Sequence, residues 1–135
     1  MKSFVSLAFL WAVVLPLPVA AEKKHPDCTG GDRWPAAMAL GYLKSSAPDL
    51  QAIENVIDYN HIKVERLSSV KTGVYTGTPK MADPTKYRQI HHVTFYKKTG
   101  EVLFEAITDN IAYQSECSGE ALKIYEIAHI FPFPD

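Results

Sequence analysis

KYRQIHHVTFYKKTGEVLFEAITDN, residues 86–110, carries two apolar-rich segments around a short polar turn. Successive side chains of a strand point to opposite faces. His91 therefore shares a face with Val93 and Phe95, and His92 shares the other with Thr94 and Tyr96. The first set reads as core-facing and the second as exposed or ligand-facing. The two adjacent imidazoles cannot line one pocket unless a bulge intervenes. Two turns fit "KKTG": a type I turn with a left-handed, bulged Gly100, or a two-residue Thr99-Gly100 turn that sets Phe104 opposite Phe95. The returning segment "VLFEAI" is apolar on both parities, which predicts a strand covered on both faces.

Outward from this hairpin the pattern continues. Upstream, "HIKVERLSSVKTG" alternates Ile62 and Val64 against Lys63 and Glu65, the mark of a half-buried strand. "VYTGTPKMADPTK" between the two reads as a long exposed loop. Downstream, "NIAYQSECSGE" is a connection and "ALKIYEIAHIF" a last strand. Before the strands, "DRWPAAMALGYLKSS" predicts a helix with Asp32 as candidate N-cap, Pro35 in its first turn and Lys44 near its end. Its apolar face is Trp34, Met38, Leu40 and Leu43 with small alanines, and Gly41 suggests close approach to a sheet. "APDLQAIENVIDY" predicts a short second helix from Pro48, on the spacing of Leu50, Ile53 and Ile57. A helix followed by successive strands gives an α+β fold, an N-terminal helix packed on a roughly four-stranded antiparallel sheet.

The chain opens "MKSFVSLAFLWAVVLPLPVAAEKK". Lys2 precedes an apolar run from Phe4 to Leu15, Pro16 and Pro18 interrupt it, and Val19 and Ala21 are small. This is the pattern of a signal peptide over residues 1–21, with cleavage after Ala21. The run is shorter than the roughly 20 apolar residues a membrane span needs. Residues 22–135 then form a single domain, periplasmic or secreted and not membrane-bound. In an oxidising compartment the only two cysteines, Cys28 and Cys117, read as one disulfide, pinning the last interstrand connection to the start of the helix. A metal or redox site needs clustered ligands or a CxxC spacing, and neither is present. A net charge of −1 offers no basic footprint for nucleic acid.

No HExxH, GxSxG, zinc-ligand or phosphate-loop pattern occurs, so no catalytic residue, metal or cofactor is assigned. His91 reads as a structural histidine. His92 is either an inert surface residue or a contact in a binding face with Arg88, Thr94 and Tyr96, residue types that include the aromatic and arginine anchors of interfaces. Tyr87, which with Tyr75 flanks the long loop, is counted among these partner contacts. A histidine acid–base pair would require His92 to meet His61 or His129 across the sheet. Asp83, Asp109, Glu116 and Glu120 are placed in turns, solvated or facing a basic partner. The terminal "FPFPD" reads as a tail packed along the domain.

Taken together, "CTGGDRWPAAMALGYLK", "YRQIHHVTFYKKTG" and the "SEC" before the last strand resemble small immunity proteins of bacterial contact-dependent inhibition and polymorphic-toxin systems. The matching positions are Cys28, Trp34, His91, His92 and Cys117. The resemblance implies a non-enzymatic protein that binds one cognate toxin or enzyme and blocks it; an exported member would meet that toxin in the envelope. Two other readings stand beside it: a small secreted hydrolase or nuclease using His92 with another histidine, and a structural envelope or ligand-binding module. Oligomeric state is left open by the sequence.

Overall fold

The computed structural model describes residues 24–47 and 49–129; the signal segment 1–21, Pro48 and the "FPFPD" tail lie outside the described residues. Two helices, α1 (Trp34–Ser46) and α2 (Leu50–Val56), precede four strands, β1 (Ile57–Val74), β2 (Thr85–Lys97), β3 (Val102–Tyr113) and β4 (Ala121–His129). The strands form one antiparallel meander in the order β1-β2-β3-β4, with α1 on one face. This is the α+β arrangement expected from the order of periodicities.

Pro35 occupies the first turn of α1, where its missing N–H costs nothing, and Lys44 lies in the last turn beside the free carbonyls. Ala47, preceding a proline in sequence, is extended at φ −71°, ψ 130° and ends the helix. Asp32 is not the cap: Arg33 takes that position without a side-chain bond, because the helix begins one residue later than a cap at Asp32 requires. In α2 the cap does form, Asp49 accepting from the Ala52 N–H at 3.1 Å.

Ala36, Ala39 and Leu43 of α1 pack with Ile53 of α2 onto Ile57, Val64, Val93, Phe95, Phe104 and Ala106. The two small alanines let the helix approach the sheet closely, and Leu43, Phe95 and Phe104 fill the centre. Gly41 plays no part in that approach. It is exposed, and an added Cβ would meet nothing within 4 Å. Gly41→Ala is accordingly expected to stabilise the domain by about 0.5–1 kcal/mol, read as a higher urea midpoint at unchanged slope.

The β2–β3 hairpin settles its register through both features of "KKTG". The Gly100 N–H donates to Lys97 O at 2.8 Å and the Lys97 N–H to Glu101 O at 2.7 Å, with Gly100 at φ +91°. This is a three-residue loop whose last residue needs the left-handed conformation. A one-residue irregularity at Phe95/Tyr96 then brings Phe95 opposite Phe104, their rings 6.2 Å apart. β3 is buried on both parities, Phe104, Ala106 and Thr108 toward α1 and Asp109 and Ile111 away from it. It also runs further than expected: "NIAY" stays in the strand, paired with β2 as far as Tyr113 opposite Lys86, so the connection is only residues 114–120. β1 likewise begins at Ile57, before the alternation becomes visible in the sequence.

The Cys28–Cys117 disulfide joins segment 24–33 to that connection, with a Cα–Cα distance of 5.6 Å. The segment runs across the α1 side of the sheet beyond the helix. Gln114 Nε2 donates to Lys24 O at 2.8 Å, Arg66 Nη1 and Gln89 Nε2 both donate to Pro26 O, and His25 bonds Ser69 at 2.8 Å.

Candidate functional site

The antiparallel register sorts every strand residue onto one of two faces. Toward α1 lie Tyr87, Gln89, His91, Val93 and Phe95 of β2; away from it lie Arg88, Ile90, His92, Thr94 and Tyr96. The two adjacent histidines point in opposite directions, as strand parity requires. His91 is fully buried on the α1 face, while His92 is half-buried on the other.

The face turned away from α1 carries the candidate site. Its centre is His92, flanked by Glu65 of β1 opposite it and by Glu105 of β3, two residues along the strand from its register partner Ile107 and on the same face. His92 Nδ1 is 3.6 Å from Glu65 and Nε2 is 3.4 Å from Glu105, so the ring sits between two carboxylates. The Glu105 approach does not give Nε2 a hydrogen bond of proper geometry. Lys63 Nζ, 3.1 Å from Glu65, and the neighbouring His92 hold the Glu65 carboxyl below its ordinary range, Lys63 contributing most. The carboxylates address different nitrogens of one ring, an arrangement that cannot converge on a single metal ion. Among the described residues no group of three or more His, Cys, Asp or Glu is placed to hold one.

Beside this cluster, Arg88 grips Asp109 across the β2–β3 ladder through Nε–Oδ1 at 2.9 Å and Nη2–Oδ2 at 2.5 Å. The Asp109 side chain is 6% exposed and that of Arg88 54%, so the arginine covers the carboxylate and shows its other edge to solvent. Asp109 therefore lies within a strand and pairs internally; the expectation that it occupies a turn fails because β3 extends past it. Val70, Ile90, Ile107 and Tyr125 add apolar surface from all four strands, and Lys123 lies 4.9 Å above the Tyr125 ring. Ser68, Val70, Thr72, Arg88 and Ile90 line a shallow hollow of about 380 Å³ here.

Of the residues expected to contact a partner, Arg88, His92 and Tyr96 share this face, and Tyr96 stacks on His61 at 4.2 Å. Thr94 shares it too but is only 3% exposed, enclosed in the ladder between Lys63 and Glu105. Tyr87 is on the opposite face, 2% exposed, its ring 4.6 Å from His25. Burial takes Thr94 and Tyr87 out of any accessible surface. Of the two histidines a two-histidine mechanism would need, His61 is engaged with Tyr96, and the side chain of His129 lies outside the description. The expected disulfide is present. Among the described residues no helix is long and apolar enough to cross a membrane.

No family model, curated protein or solved structure matches this chain. The assignment of a role therefore rests on the site itself. Sequence reading missed Glu65, Glu105, Val70, Ile107 and Tyr125 as neighbours of His92 and Arg88. For Ile107 and Glu105 the signal was present: once Phe95 is set opposite Phe104, counting back along the hairpin brings both beside His92.

Proposed function

We propose that this chain is an exported, non-enzymatic binding protein, an immunity or inhibitor protein that covers the working surface of one cognate toxin or enzyme with the sheet face turned away from α1. The observation that carries this reading is the composition of that face. Exposed Val70 and Tyr125 stand beside Arg88, with His92 and its two carboxylates at the centre, the mixture of apolar anchors and paired charges that forms protein interfaces. The long-range disulfide supports export to an oxidising compartment and gives the domain rigidity there. Among the described side chains no second imidazole faces His92, which is what the two-histidine hydrolytic reading would need.

The test uses the oxidised protein as bait for the native envelope. A single stoichiometric partner is expected, whose activity is abolished by equimolar addition of this protein. Val70→Asp and Tyr125→Asp, each placing a charge on the apolar part of the face, are expected to weaken that complex about tenfold or more while lowering the unfolding free energy by no more than about 1 kcal/mol. Turnover of RNA or peptidoglycan by the protein alone, lost in His92→Ala with the fold intact, would overturn the binding reading in favour of a hydrolytic one.

A further inference from the structure

On the α1 side of the sheet the apolar layer of Val93, Phe95, Phe104 and Ala106 is followed by polar rungs. His91 lies directly opposite Thr108, and Gln89 directly opposite Asn110; all four are 0% exposed. Both ring nitrogens of His91, the Thr108 hydroxyl, both ends of the Asn110 amide and the Gln89 carbonyl oxygen are buried without a direct hydrogen bond of proper geometry, although the Asn110 amide lies near enough to His91 to favour its protonated form. Only the Gln89 Nε2 is engaged, to Pro26 O at 2.9 Å and Ser69 Oγ at 3.1 Å. Buried polar groups of folded proteins are almost always paired, and several in one block point to a common partner.

The chemistry of the block narrows what that partner is. A neutral imidazole offers one donor and one acceptor, a threonine hydroxyl offers both, and an asparagine amide offers both. The partner must therefore donate and accept. The side chains of the block are all uncharged, and Arg66, opposite His91, directs its Nη1 to Pro26 O at 3.1 Å, so no cation is built into the block to hold an anion. A cation would find no carboxylate in the block. Opposed residues on an antiparallel pair have Cβ atoms roughly 4.5–5.5 Å apart, a spacing that a molecule no larger than water bridges.

We propose that His91, Thr108 and Asn110 form an internal hydration site, holding ordered water beneath segment 24–28. Its water completes the β2–β3 ladder on the face where side-chain packing gives way to polar contacts, and segment 24–28 with its disulfide seals it from bulk solvent. The site is distinct from the binding face, which lies on the other side of the sheet.

Water–amide NOE and ROE spectra of the oxidised, 15N-labelled protein test this. Amides of His91 and of Thr108 to Asn110 are expected to show water cross peaks with the sign of long-lived bound water. Thr108→Val, similar in shape but without the hydroxyl, is expected to lose those at positions 108–110. A crystal structure of the unsubstituted protein supplies the second measurement, with density expected within about 3.2 Å of at least two of these side chains. Missing cross peaks, cross peaks unchanged in Thr108→Val, or density showing His91 bonded directly to Asn110 with no water between them would each overturn the assignment.

Discussion

Replacing both Cys28 and Cys117 with alanine, or reducing the bond between them, is expected to lower the stability of this domain by about 4–5 kcal/mol. The two residues are 89 positions apart, so the bond closes a loop spanning most of the described chain. In the chain-entropy account a loop of that length removes about that much freedom from the unfolded ensemble. Few other contacts hold the N-terminal segment. Beyond buried Pro26 and Cys28, it is tied to the sheet by bonds to two backbone carbonyls, Lys24 O and Pro26 O, and by His25, which bonds Ser69 and lies against the Tyr87 ring. Small domains have total stabilities of about 5–15 kcal/mol, so the reduced form would stand near the edge of folding. Urea unfolding with and without a dithiol reductant measures the difference. A change below about 1 kcal/mol would mean that segment 24–33 docks without help from the bond.

The second large effect is on pH. Burial holds the His91 imidazole down to about 4 from an ordinary 6.5; the nearby Arg66 pushes the same way, and Asn110 opposes it. Between those values the unfolded chain binds a proton that the folded protein refuses. Stability is therefore complete above about pH 6.5, declines as pH falls, and has lost the whole contribution below about pH 4. The interval between about 4 and 6.5 corresponds to on the order of 3 kcal/mol. Other groups titrate over the same range, so the informative quantity is the difference between the protein and His91→Gln, which keeps a polar side chain and cannot take a proton. Unfolding free energies at pH 7 and pH 4.5 are expected to fall more steeply in the unsubstituted protein. Parallel curves for the two would place the lost stability in the carboxylates instead.

His91 also shows where sequence reading reached its limit. Parity along "IHHVTFY" correctly separated the two histidines and put His91 with Val93 and Phe95, because side-chain direction on a strand is a local property. The burial of Gln89 at the next position of the same parity was equally implicit, yet glutamine is commonly exposed and nothing in its own neighbourhood marks it as interior. The same limit explains Tyr87. Its placement beside the long loop suggested exposure, while its parity with Gln89 and His91 put it under segment 24–28. Thr94 was assigned to the correct face and misjudged only in exposure, which depends on the flanking strands rather than on its own. Gly41 was misread for a related reason: the rotational position of one residue on a helix is set by which stripe meets the sheet.

Asp109 illustrates a boundary error with consequences for the site. A strand ending at Asp109 leaves its carboxylate free, whereas β3 carries it on to Tyr113 and delivers it to Arg88. That pairing changes what Arg88 offers a partner, from a free guanidinium to the outer edge of one already bound.

From the sequence alone came the α+β order, the four strands, the face occupied by each histidine and the pairing of the two cysteines, since periodicity and cysteine number are carried by the chain itself. Tertiary structure alone decided the register that brings Glu65 and Glu105 to His92 and Asp109 to Arg88. It also selected the polar residues sealed beneath segment 24–28. Those outcomes depend on bulges, on strand length and on what packs above each position, and these are properties of partners distant along the chain.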